Sequence, residues 1–160
     1  MFNLKAEQYL KIILLFSFIS LISAYFIEYV LGYQPCNLCL IERIPYGLSI
    51  ILIITILVLK KNQKFLVLLL ILTFIFSLAI SVYHYGIEQG FFQESSVCGV
   101  INFDENITKE NILKQLNEKT VSCKDVTFRI LGLSLTSINI VISLIFIITL
   151  LKIFIRYEKN

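Results

Sequence analysis

Charge is scarce in this chain. Only 16% of its 160 residues are charged, 58% are hydrophobic, and the mean hydropathy is +0.84. A soluble domain of this length has too little interior to hide that much apolar surface, which excludes an ordinary water-soluble globule. No stripe of Lys and Arg with interleaved aromatics stands out, which argues against nucleic acid as a partner. Histidine is reduced to His84 alone. No internal repeat, low-complexity tract or second domain stands out, and residues 1–160 read as one membrane domain.

The apolar residues fall in long blocks. Crossing a hydrocarbon core about 30 Å thick takes roughly 20 apolar residues at about 1.5 Å per residue. Four blocks qualify, at about Ile12–Leu31, Leu40–Leu59, Phe65–Tyr85 and Leu131–Ile155. In lipid every backbone N–H and C=O must be satisfied internally, so all four are expected to be helices, despite the β-branched richness of Ile50–Leu59. The first block is longer than a signal-peptide core and no A-x-A-like site follows it, so it is expected to remain as a span. Each block carries small or polar residues at helical spacing: Ser17, Ser20, Ala24 and Glu28; Cys39, Arg43, Gly47 and Thr55; Thr73, Ser77, Ser81 and His84; Gly132, Thr136, Asn139 and Ser143. Membrane helices pack through such stripes. The expected fold is an all-α membrane protein, an antiparallel four-helix transmembrane bundle.

Lys5, Lys11, Lys60, Lys61, Lys64, Lys152, Arg156 and Lys159 lie at the two ends and in the second connection, opposed there only by Glu7 and Glu158. The positive-inside rule places these regions in the cytoplasm and the loops at about 32–39 and 86–130 outside. The formal charge of +3 is thus a topology signal. Tyr25, Tyr29, Tyr33, Tyr46, Tyr83 and Tyr85 cluster near the outer interface as an aromatic belt. Within the long loop, Thr108 to Lys119 sets Ile112, Leu113 and Leu116 on one side with charges elsewhere. It reads as a short amphipathic helix on the membrane surface, with Thr108 as N-cap.

All four cysteines, Cys36, Cys39, Cys98 and Cys123, map to the outer side, where disulfides persist. Four Cys allow three connectivities. The two-residue gap suggests Cys36–Cys39, leaving Cys98–Cys123 to close the long loop. A four-Cys zinc site prefers two short-spaced pairs, and the second pair here is 25 residues apart, so no metal is expected. Two structural disulfides in a non-enzymatic tetraspan scaffold form the serious rival. Yet a CxxC loop is too short to remove much unfolded-chain entropy, which favours a redox role. Cys39 falls near a helix N-terminus, where a thiolate is favoured, and Arg43 follows one turn deeper. The plainer reading of Arg43 pairs it with Glu42. Pro45 falls in or just after the first turn of its helix; deeper, it would kink the helix and free a carbonyl near Ile41. His84, with Glu88 at i+4, is either an interfacial hydrogen-bonder or a group that exchanges protons with a carrier.

Three segments carry a resemblance over nearly the whole chain. They are Gln34-Pro35-Cys36-Asn37-Leu38-Cys39 with Glu42-Arg43; Tyr83-His84-Tyr85-Gly86-Ile87-Glu88-Gln89-Gly90 leading to Cys98; and Cys123-Lys124-Asp125 leading into Phe128-Arg129-Ile130-Leu131-Gly132-Leu133-Ser134. The chain resembles the DsbB family of bacterial inner-membrane disulfide-bond formation proteins. The early CxxC argues against vitamin K epoxide reductase-like proteins, which place theirs late. The resemblance implies a membrane thiol oxidase with Cys36, Cys39, Cys98 and Cys123 as its redox residues. It further implies that a periplasmic DsbA-like thioredoxin-fold protein is reoxidised at Cys98, that Cys123 passes the exchange to Cys36, and that Cys39 faces ubiquinone or menaquinone from the membrane pool. Arg43 and His84 are the expected quinone contacts.

Overall fold

The computed structural model describes residues 4–59, 62–94, 98, 122–124, 129–130 and 132–158. The helices run α1 (Leu4–Tyr29), α2 (Asn37–Ile41), α3 (Arg43–Leu59), α4 (Gln63–Glu88) and α5 (Leu135–Glu158). Four stretches are long and apolar enough to cross a membrane: Ala6–Tyr29, Asn37–Leu59, Gln63–Glu88 and Leu135–Arg156. At 22 to 26 residues each, they reach about 33–39 Å, enough for the hydrocarbon core with some tilt. The expected four-helix transmembrane bundle is the fold.

The helix ends differ from the apolar blocks for physical reasons. Hydropathy marks depth in lipid, whereas hydrogen bonding sets where a helix stops. Thus α1 extends N-terminally past the first apolar residues through a polar turn that holds the Lys11–Glu7 pair at 2.8 Å. It ends where Val30 and Leu31 both donate to the Phe26 carbonyl and Gly32 adopts a φ of +75°. At the other end of the chain, α5 begins at Leu135, four residues later than the expected Leu131. Ahead of it β1 (Arg129–Ile130) pairs antiparallel with β2 (Leu133–Ser134), Arg129 opposite Ser134 and Ile130 opposite Leu133. Gly132, at a φ of +83°, lies between the two strands and is exposed, so it does not belong to the packing stripe of the fourth helix. The amphipathic segment from Thr108 to Lys119 lies outside the described residues.

The second span loses one rung of its hydrogen-bond ladder near its start, while Glu42 keeps a helical backbone and donates to the Leu38 carbonyl at 2.9 Å. Helix α2 stops at Ile41, Glu42 caps it with a ψ of −17°, and α3 restarts at Arg43. Pro45 is the cause: it has no N–H to give the Ile41 carbonyl four residues back, and its ring crowds that position.

Helix α1 packs on α3, α3 on α4 and α4 on α5, while α5 returns to α1 only sparsely. The core holds Leu10, Ile13, Ile53, Ile56, Leu70 and Leu150 around Phe74, all fully or nearly fully buried. The Phe74 ring meets Phe146 edge-on at 5.0 Å and Tyr46 at 6.2 Å, the arrangement that aromatic quadrupoles prefer. Lipid tails are as apolar as these side chains, so the contacts that select one packing are the close polar ones. Ser49 bonds Ser17 at 3.0 Å, Ser143 bonds Ser77 at 3.3 Å, and Asn139 Nδ2 donates to Ser81 Oγ at 2.7 Å. These are members of the small-residue stripes read from the sequence. Thr55 is not part of this seam: its hydroxyl donates within its own helix, to the Ile51 carbonyl.

Candidate functional site

At one end of the bundle α2 carries the CxxC. Cys36 is its N-cap: in extended conformation, its sulfur accepts the Cys39 backbone N–H at 3.3 Å. The helix-terminus donor therefore serves Cys36, whereas the sequence points to Cys39. Both thiols are free, with their sulfurs 2.7 Å apart. The Cys36 pKa is pushed down to about 5, first by the hydrogen bond from the Cys39 thiol. Burial pushes it up, and His84 draws it down further.

His84 comes from the last turns of α4 and is 2% exposed. Its Nε2 lies 3.5 Å from the Cys36 sulfur, and its Nδ1 lies 3.1 Å from Glu42 Oε1. Glu42 lies between α2 and α3, and its side chain reaches inward to the histidine. Its other oxygen accepts from Asn139 Nδ2 at 3.3 Å, and Tyr46 O–H donates to Asn139 Oδ1. On the other side, Glu88 Oε1 accepts from Thr136 at 2.5 Å and lies 3.9 Å from His84 Nε2. Among the described residues, Glu88 Oε2 is the buried side-chain atom left with no hydrogen-bond partner. A buried imidazole between two carboxylates and a thiol is a proton-handling arrangement.

Arg43 does not pair with Glu42. Its Nη1 donates to Glu28 Oε2 of α1 at 2.5 Å, and its guanidinium sits 5.0 Å from the centre of the Tyr25 ring. Successive helical residues point about 100° apart, so Glu42 and Arg43 serve different neighbours.

The second cysteine pair is a disulfide, Cys98–Cys123, with Cα atoms 5.5 Å apart. Both residues are buried, and they cluster with Cys36, Leu38 and Ile87, while Cys39 packs alongside. The two pairs, separated by more than 50 residues of chain, thus share one patch. Beside it runs a cavity of about 370 Å³, lined at one end by Cys36, Cys39, Arg43, His84 and Cys123 and along its length by apolar residues of α1 and α5. It lies between α1 and α5, which touch only sparsely.

Every residue expected at the site lies in this region. Cys36, Cys39, Cys123, Arg43 and His84 line the cavity, and Cys98 is bonded to Cys123. Glu42, Glu88, Thr136, Asn139 and Glu28 were not selected as site residues by sequence reasoning. Glu88 at i+4 from His84 was the available signal. Thr136 and Asn139 were visible only as members of a packing stripe.

Comparison with known proteins bears on this geometry. The model of the family described as disulfide bond formation protein DsbB matches residues 6–153. A curated relative, the uncharacterized protein RP370 of Rickettsia prowazekii (strain Madrid E), is 31% identical over 152 residues, covering 92% of this chain and 88% of its own length. With four membrane-crossing helices and a match over nearly its full length, this multi-pass membrane chain belongs to the disulfide bond formation protein DsbB family.

Proposed function

We propose that the protein is a quinone-dependent thiol oxidase that reoxidises a DsbA-like thioredoxin-fold protein outside the membrane. The observation that carries this reading is the packing of both cysteine pairs in one cluster beside one cavity. A scaffold with two structural disulfides has no need of that juxtaposition.

The sequence of exchanges is the one that membership of the family implies, and the clustering of the two pairs supports it. A reduced donor attacks Cys98 and forms a mixed disulfide, releasing Cys123. Cys98 and Cys123 are buried against the CxxC here, so this arrangement is the one in which the loop pair faces inward, and Cys98 turns outward to meet the donor. Cys123 then attacks Cys36 of the oxidised CxxC, and Cys39 leaves. The donor's second thiol closes the donor disulfide, and resolution of the Cys36–Cys123 bond by Cys98 leaves Cys36 and Cys39 reduced. Exchange of this kind needs an attacking thiolate and a good leaving thiolate.

Closing Cys36–Cys39 again releases two electrons and two protons, and ubiquinone or menaquinone supplies the acceptor. A cavity of about 370 Å³ with a polar end and apolar walls suits a flat ring head with an isoprenoid tail. Arg43, fixed by Glu28 and Tyr25, holds positive charge at that end. His84 holds the Cys36 proton at Nε2 and is oriented by Glu42 through Nδ1. Cys39, less buried than Cys36, is the sulfur that faces the carrier. Lys and Arg at both termini and the second connection orient the cysteines to the periplasm, with both termini in the cytoplasm.

The test combines purified protein, a reduced DsbA-like donor and quinone, with quinone absorbance as the readout. Cys36→Ser, Cys39→Ser, Cys98→Ser and Cys123→Ser should each abolish quinone reduction. Normal turnover in Cys39→Ser would sink the reading, and loss of stability without loss of electron transfer would support the scaffold instead.

A further inference from the structure

The CxxC sulfurs and His84 make a second chemistry available. The two thiol sulfurs and a ring nitrogen of His84 all lie within 4.8 Å of one another. Nδ1 is engaged by the Glu42 carboxylate at 3.1 Å. That contact fixes the ring with Nε2 toward Cys36, 3.5 Å away, so that loss of the Nε2 proton to solvent leaves its lone pair aimed at the sulfurs. A carboxylate behind an imidazole in this way is the usual outer-shell support of a metal-bound histidine. A fourth donor stands behind the ring: Glu88 Oε1 lies 3.9 Å from Nε2 and accepts from Thr136, outside the close group of the two sulfurs and the histidine, so it completes the set by turning inward. The other oxygen of Glu88 is buried with no hydrogen-bond partner among the described residues, and the side chain is only 5% exposed. A buried carboxylate oxygen left unsatisfied is costly, and a cation relieves the cost.

Two thiolates, one imidazole and one carboxylate are a borderline-soft donor set of tetrahedral number, which suits zinc(II). Bonds of about 2.3 Å to each sulfur place the two sulfurs about 3.8 Å apart at the tetrahedral angle. From 2.7 Å the thiols must therefore part by about 1 Å. Both sulfurs lie on the first turn of the second span, Cys36 as N-cap and Cys39 three residues on, so parting them needs movement of that terminal turn alone.

We propose that Cys36, Cys39, His84 and Glu88 form a zinc(II) site that exists only in the dithiol state and blocks electron transfer from that state. Binding replaces the thiol protons with the metal, which releases up to two protons and leaves the sulfurs reduced. A disulfide offers no thiolate, so oxidation destroys the site. Zinc and the oxidant therefore compete for the same two sulfurs. The inference goes beyond the proposed oxidase activity, and its test involves neither donor nor quinone, so either can fail while the other stands.

The full chain in detergent, reduced and freed of reductant without oxygen, is titrated with cobalt(II) as a spectroscopic stand-in for zinc. The expected result is one equivalent with a thiolate-to-cobalt charge-transfer band and the strong visible bands of tetrahedral cobalt, all bleached by zinc(II). The signal should be absent from oxidised protein and from the Cys36→Ser/Cys39→Ser double variant. Zinc affinity, by competition with a chromogenic chelator, should fall at least tenfold in Glu88→Gln and in His84→Asn. Thermal unfolding in detergent confirms that each variant is folded, and Glu88→Gln, the milder change, keeps the test decisive if His84→Asn is not. A signal that persists in the double variant, the absence of a thiolate band in the reduced wild type, or zinc affinity unchanged in folded Glu88→Gln overturns the site.

Discussion

In the reduced protein the Cys36 sulfur should ionise far below an ordinary thiol. Its pKa is pushed from 9.0 to about 5, about 4 units or roughly ten-thousandfold in acid dissociation. At pH 7 the fraction ionised is then about 99%, against about 1% for a thiol of pKa 9. The first cause is the hydrogen bond from Cys39, opposed by burial, with His84 adding a smaller pull. Cys39→Ala removes the main cause and leaves burial in place, so the midpoint should climb back toward the ordinary range. His84→Asn should raise it less. The assay is a short pulse of iodoacetamide across about pH 3 to 10, with mass spectrometry of the Cys36 peptide. The midpoint is the quantity to read, because nucleophilicity falls with pKa. At a Brønsted slope of 0.4–0.5, a shift of this size lowers the plateau rate by roughly 40- to 100-fold. Reactivity should be constant above about pH 6 and fall as pH drops through 5, where the thiolate takes up its proton. A wild-type midpoint near 9, or a midpoint still near 5 in Cys39→Ala, would refute the reasoning.

Other expectations follow from the same contacts. Arg43→Ala should raise the apparent KM for quinone, and Glu28→Gln should do so more mildly while costing about 1–3 kcal/mol in detergent unfolding; an unchanged KM in Arg43→Ala removes that residue from the site. Asn139→Leu strips partners from Glu42, Tyr46 and Ser81 and should destabilise by about 2–5 kcal/mol, measured by thermal unfolding. Gly86→Ala drives a methyl into the Phe92 ring, which stacks on Tyr83. It should lower the midpoint of unfolding, and adding Phe92→Ala should restore much of the loss, a coupling read from the double-mutant cycle.

The existence of the long helices was legible because lipid leaves an apolar run of some 20 residues almost no other structure. Their ends were not. Apolar character says where lipid begins, and it missed both the polar first turns of α1 and the strand pair before α5. The cysteine pairing suggested by spacing agrees with the disulfide at Cys98–Cys123, and the inward stripes of Ser77, Ser81, Asn139 and Ser143 were readable from helical period. The partners of Arg43 and Glu42 were not readable. Glu42 and Arg43 are adjacent in sequence, but on a helix adjacency separates side chains, and the pairs that form join residues 15 and 42 positions apart. Such contacts depend on how helices are rotated against one another, which a single stripe of small residues does not fix.

The helical bond that Pro45 cannot give the Ile41 carbonyl leaves a soft point beside Glu42. The chemistry sits on the first helical turn, and the 17 residues from Arg43 to Leu59 carry the span on into lipid. Sulfurs that meet, part or take a new partner can move with that turn, without tilting a helix through the bilayer. Glu42 is also the residue that holds His84, so any such movement shifts the carboxylate that orients the imidazole. Pro45, by removing one rung of the ladder, softens the second span at the point where the redox turn meets the membrane anchor.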